Sequence, residues 1–110
     1  ELMTKLLDRA TGELPTALFA QNDSMAIGAM HLAKERGLEC PSDISIVGYN
    51  DVPLTAHLTP ALTTIKLPAY EAGRVAAELL VSLIGEPEQS PSSVIMAPEL
   101  IVRESTTSLM

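Results

Sequence analysis

Residues 16–37, TALFAQNDSMAIGAMHLAKERG, decide the fold. Thr16-Ala17-Leu18-Phe19-Ala20 is a short apolar run that reads as a strand buried on both faces, as parallel sheets require. It leads straight into Asn22, Asp23 and Ser24, whose side chains accept hydrogen bonds from the open N–H groups of a helix's first turn. Met25, Ala26, Ala29, Met30, Leu32 and Ala33 then recur at helical spacing. Lys34 and Arg36 fall where the negative end of the helix dipole favours cations. Gly37 suits the left-handed residue after a helix, with Leu38 folding back on the last turn. A buried strand running into a capped helix is the repeating unit of α/β folds.

Working outward from that stretch, Leu2 to Arg9 forms a short amphipathic helical pattern, and Thr11-Gly12-Glu13-Leu14-Pro15 breaks it. Ile44-Ser45-Ile46-Val47-Gly48-Tyr49 is a second strand, and residues 50–60 are loop or a short helical turn. Leu62-Thr63-Thr64-Ile65-Lys66-Leu67 is β-branched and strand-like. Pro68 suits an early helical position. A helix over about Tyr70 to Ile84 carries Val75, Ala76, Leu79, Leu80, Leu83 and Ile84 on one broad face, and Gly85 ends it. Glu86 to Ser93 is a polar loop. Two short strands are expected near Val94–Met96 and Leu100–Arg103. No internal repeat is evident. The pattern predicts an α/β chain: a parallel-sheet lobe with flanking helices.

Composition narrows the function. The 110 residues suit roughly one domain, and 46% hydrophobic content supports a core. Seven basic against fourteen acidic residues leave a net charge of −7. The scattered Lys and Arg side chains form no stripe that could neutralise phosphates, which argues against a nucleic-acid grip by this segment. Cys40 is the single cysteine, so an internal disulfide and a multi-thiol metal site are excluded. His31 and His57 lack metal-ligand spacing, and Phe19, Tyr49 and Tyr70 are too few for a base-stacking platform. No nucleophile elbow, phosphate loop or paired nucleophile and base is present, so no catalytic residue, metal or cofactor is expected. No apolar run approaches the roughly 20 residues that span a bilayer. The chain opens on Glu1 without a charged-then-apolar leader, and we expect it to be a piece of a longer polypeptide.

The residues that remain are two amide–acid pairs. Asn22-Asp23 follows one predicted strand and Asn50-Asp51 follows the next. Ligands of open α/β sheets bind outside the carboxyl ends of the strands, so both pairs fall on one rim. Amides donate and accept while carboxylates only accept, a mixture suited to a polyol or nucleoside. The same residues also cap helices and shape turns for local reasons alone, and spacing does not separate the two.

Four segments in register carry a family resemblance. Residues 15–29, PTALFAQNDSMAIGA, and 41–51, PSDISIVGYND, resemble two blocks of the lactose/galactose repressor family of bacterial transcription regulators. Leu62-Thr63-Thr64-Ile65 and Val102-Arg103-Glu104-Ser105-Thr106 are similar to its third and closing signatures. Order and spacing agree over about residues 11 to 107. The resemblance implies half of a two-lobed, periplasmic-binding-protein-like effector domain in a cytoplasmic regulator. Residues 1–66 would belong to the C-terminal lobe, 67–97 to the other lobe, and 98–110 to the return. The implied partners are a small-molecule effector and a second copy of the chain, with no membrane and with operator DNA reached only through an absent N-terminal headpiece.

It further implies that Asn22 contacts the effector and that Asn50 stands where the family usually has an effector-contacting Asp. An amide cannot make a carboxylate's charge-assisted acceptor bonds to hydroxyls. Either the effector differs from a plain sugar, or Asp51 or another residue takes the role. Dimer contacts would come from Ile27, Met30, His31 and Lys34 with the 52–58 loop, including Leu54 and Leu58; ordinary core packing is the competing reading. Arg103 is expected in a structural ion pair. An exported sugar-binding protein of a transporter shares the core fold and is the alternative function.

Overall fold

The computed structural model describes residues 1–8 and 14–109. The chain divides into two compact units, Glu1–Lys66 with Leu100–Met110, and Leu67–Glu99. The expected helix break at residues 11–13 lies outside the described residues.

In the first unit α1 (Leu2–Asp8) precedes β1 (Ala17–Phe19), α2 (Asp23–Glu35), β2 (Ser45–Val47), a 3-10 turn (Pro53–His57) and β3 (Thr64–Lys66). β1 and β2 pair in parallel, with Ala17 opposite Ser45 and Phe19 opposite Val47. A parallel bridge from Val47 to Thr63 carries the arrangement on to the β3 segment. Backbone bonds from Gly48 N to Thr63 O (2.9 Å) and from Asn50 N to Ile65 O (2.8 Å) reinforce it. The two crossovers that such parallel neighbours need are α2 and the 3-10 segment. β3 also pairs with β4 (Glu99–Ile101).

α2 packs on the sheet through Ala26, Ala29 and Ala33, spaced three and four residues apart and all buried. Side chains this small let the helix approach the strands closely. Ile44, Ile46 and Leu62 fill the space between and are fully buried, each contributing about 1.5–3 kcal/mol of transfer free energy. Met3, Leu18, Met30, Leu38, Cys40 and Leu58 close the periphery of this core. Gly37, at φ +75°, takes the left-handed position after α2, which a Cβ would disfavour.

Two expectations from the sequence are corrected. β1 is not buried on both faces: Ala17 and Phe19 are exposed and only Leu18 between them is half-buried. With three residues per strand there is too little sheet to cover both sides, and the Phe19 ring rests edge-on against Tyr49, centroids 6.4 Å apart. Val94–Met96 forms no strand, and Ile95 is 97% exposed. Strand propensity expresses packing against neighbouring strands, and this segment pairs with none. The strands of the first unit are also shorter than their apolar runs, because pairing ends before the apolar character does.

The second unit is built on α3 (Ala69–Gly85), which starts directly after Pro68 and has no buried residue along its length. Val75, Ala76 and Leu79 line a shallow cleft with Leu67, Val94 and Met96. On the polar side Arg74 bridges Glu71 (2.8 Å) and Glu78 (2.6 Å), one turn to either side. Leu80, Val81 and Ile84 are all exposed.

Candidate ligand site

Because β1 and β2 run in parallel, the chain leaves both at the same edge. Asp23 N donates to Tyr49 O at 3.0 Å, so the start of α2 and the exit of β2 are joined by a backbone bond. Asn22 and Asn50 therefore flank one rim. Asn22 is the N-cap of α2, with extended backbone (φ −153°, ψ 168°), and its Oδ1 accepts from Met25 N at 2.9 Å. That bond engages the amide oxygen with the helix.

Asp23 departs from the expectation that both members of the pair lie on the rim. It is 1% exposed. Its Oδ1 accepts from Thr64 Oγ1 (2.5 Å) and its Oδ2 from Val52 N (2.8 Å). A carboxylate this deep persists only where its oxygens are satisfied. Gly48 makes room for it: a Cβ there would collide with Asp23 Oδ1 and stand 3.0 Å from Leu62 Cδ2. Glycine is required by that close approach.

Asn50 and Asp51 both have positive φ, 113° and 56°. Consecutive non-glycine residues in this region cost about 1–3 kcal/mol each and persist only where the surroundings impose them. Here Asn50 N is held by Ile65 O, Asp51 N by Thr64 Oγ1 (3.4 Å) and Val52 N by Asp23. The Asp51 carboxylate closes the set. Its Oδ1 accepts from Arg103 Nη2 (2.7 Å) and Thr55 Oγ1 (3.2 Å). Arg103 Nη1 donates to Thr55 Oγ1 (3.0 Å) and Leu62 O (2.9 Å). The Arg103 guanidinium beside it holds the Asp51 carboxyl below the usual carboxylate range, against the opposing effect of its burial. Arg103 thus stands in an ion pair, and Asp51 is its partner.

Sequence reading placed Asn22 and Asn50 on the rim but missed the buried frame of Asp23, Thr64 and Gly48. The one available signal was Gly48 directly before Tyr49-Asn50-Asp51, since a glycine inside a strand marks close backbone approach.

Of the expected dimer residues, Ile27, Met30, His31, Lys34 and Leu58 line one groove, together with Leu38, Cys40 and Glu104 among others. Met30 and Leu58 also pack on the core. Leu54 is exposed and lies outside that groove. Burial pushes the Cys40 thiol above its ordinary pKa, and Sγ lies 3.5 Å from Ser105 O. Among the described residues no three His, Cys, Asp or Glu side chains cluster to hold a metal. No helix among them is long and apolar enough to cross a membrane.

A parallel α/β unit with polar residues at its strand exits has the arrangement in which open α/β sheets bind ligands. The chain belongs to the periplasmic binding protein-like domain family, whose model matches residues 1–106. It is 43% identical over 107 residues to the transcriptional repressor CytR of Escherichia coli, covering 97% of this chain and 31% of that protein. It is 41% identical over 95 residues to the probable repressor ExuR of Bacillus subtilis, covering 86% and 28% respectively. Among solved structures, a LacI-family regulator from Enterococcus faecium with bound ribose superposes with a TM-score of 0.84 at 33% identity, over 99% of this chain and 39% of that one. The lac repressor dimer bound to operator and an anti-inducer gives 0.85 at 30% identity, over 97% and 36%. The chain thus spans about a third of the length of the curated relatives it matches.

Proposed function

We propose that this chain is the effector-sensing and dimerisation part of a bacterial transcriptional regulator, with no enzymatic activity of its own. A small ligand of the sugar or nucleoside class binds between two lobes, favours one lobe orientation, and so biases operator binding by a headpiece outside this chain. The first unit belongs to one lobe and the second unit to the other. The observation that carries the reading is the backbone bond from Asp23 N to Tyr49 O, which sets Asn22 and Asn50 on one rim.

In this reading Asn22 and Asn50 contact ligand hydroxyls. Asp51 enters through Arg103, holding the left-handed turn that presents Asn50, because its Oδ1 is already engaged. Ile27, Met30, His31, Lys34 and Leu58 meet a second copy, with Leu54 at the margin. That the curated relatives are repressors favours a cytoplasmic regulator over an exported sugar-binding protein. The test is calorimetry on the intact protein with ribose, cellobiose and cytidine, repeated for Asn50→Ala and Asn22→Ser. Serine keeps the helix cap, so a loss of binding in that variant reports ligand contact. Unchanged affinity in both variants would sink the reading.

A further inference from the structure

Resting on the reading that Asn50 contacts the ligand, we infer that Ser105, far along the chain, is a positioning residue of the site: its hydroxyl is inserted into the ladder between β2 and the entry to β3 and sets where the Asn50-Asp51 turn stands.

At the rim the two strands bond directly, Gly48 N to Thr63 O and Asn50 N to Ile65 O. One step further from the rim the bond is indirect. Thr63 N donates to Ser105 Oγ (2.8 Å), and the same hydroxyl donates to Ile46 O (2.5 Å). A hydroxyl carries one proton to give and lone pairs to accept with, so a single small side chain completes the step. Ser105 is itself pinned by its backbone: its carbonyl accepts from Ile46 N (2.8 Å) and its N–H donates to Ala61 O (3.0 Å). Both backbone groups of Ile46 thus end on this one serine. Ser105, Ile46 and Thr63 are all buried, so no water stands ready to replace the hydroxyl.

The position given to Thr63 passes along two peptide units to the site. Thr64, the next residue, holds Asp23 Oδ1 and Asp51 N through its hydroxyl. Ile65, the one after, holds Asn50 N through its carbonyl. Asn50 and Asp51 both stand at positive φ, a conformation that lasts only while its surroundings impose it. The turn is therefore sensitive to a small displacement of Thr63. Alanine at position 105 would leave Thr63 N and Ile46 O without their shared partner and allow the β3 entry to shift.

The test is made on the intact protein with Ser105→Ala, and with Ile44→Val as a core variant that weakens the fold away from the turn. Hydrogen exchange read by mass spectrometry should show the amides of Asn50, Asp51 and Val52 exchanging about tenfold faster in Ser105→Ala than in Ile44→Val, with the α2 amides alike in the two. Calorimetry with ribose, cellobiose and cytidine should find affinity for any probe the parent binds lowered about fivefold in Ser105→Ala and unchanged in Ile44→Val. Exchange at the turn no faster than in Ile44→Val overturns the inference, as does parental affinity in Ser105→Ala for a probe that Asn50→Ala weakens. Should the parent bind none of the three, the exchange result decides alone. The rim reading fails separately, when Asn50→Ala leaves a bound probe's affinity unaltered.

Discussion

Thr64 Oγ1 lies 2.5 Å from Asp23 Oδ1, and neither side chain is more than 1% exposed. Forty-one residues apart in sequence, the two join the end of the sheet to the start of α2. The same hydroxyl accepts from Asp51 N, so one threonine orders the α2 N-terminus and the Asn50-Asp51 turn together. Thr64→Val keeps the shape and removes the donor. We expect it to destabilise the protein by about 1–3 kcal/mol, since a buried acceptor is left unsatisfied. The urea midpoint measures this, and Thr64→Ser should restore most of the loss.

Gly48→Ala should cost at least as much. The added methyl meets the Asp23 carboxylate, fixed by its bonds to Thr64 and Val52, and a methyl of the fully buried Leu62, and overpacking of this kind costs about 1–3 kcal/mol. If thermal melting finds the variant as stable as the parent, Asp23 is not held where described.

Asp51 gives a pH signature. Its folded pKa is depressed, so its contribution is complete above the unfolded carboxylate value of about 3.9 and disappears as pH falls through the folded pKa. Stability measured from pH 5 downward should therefore fall, and Asp51→Asn should flatten that part of the curve. Arg103→Ala leaves a mostly buried carboxylate unpaired and should cost about 2–4 kcal/mol at neutral pH. Its effect should shrink once Asp51 is protonated.

Cys40 should react slowly. A thiol raised by burial holds little thiolate at pH 8, and thiolate is the reactive form. Titration with a disulfide reagent should proceed more slowly than for a free thiol and accelerate on unfolding in urea.

The 110-residue chain by itself should self-associate. α3 exposes Leu80, Val81 and Ile84 without burying any residue, an apolar surface of a kind that soluble monomers seldom carry. Light scattering should show mass rising with concentration, and Leu80→Glu with Ile84→Glu should reduce it. A constant monomer mass would count against the prediction.

The parts of the fold legible in the sequence are those written locally. Asn22 and Gly37 bracket α2 because a cap and a left-handed exit are properties of adjacent residues. The exits of β1 and β2 could be located because strand and helix periods differ. What could not be read depends on partners far away. Asp23 looks like a rim residue until Thr64 and Val52 are brought to it. Val94–Met96 looks like a strand until it is seen to have no neighbour. The left-handed turn at Asn50 and Asp51 is held by Ile65, Thr64 and Arg103, none of which is near it in sequence.

β3 and β4, where the chain departs the first unit and comes back to it, are hydrogen-bonded neighbours. Residues 67–99 are thus an insertion whose two ends are anchored at a single seam. Such a layout is what protein engineers look for in a cassette: the whole excursion could be cut out and a short linker sewn across the gap, with the strand exits that carry Asn22 and Asn50 left in their original weave.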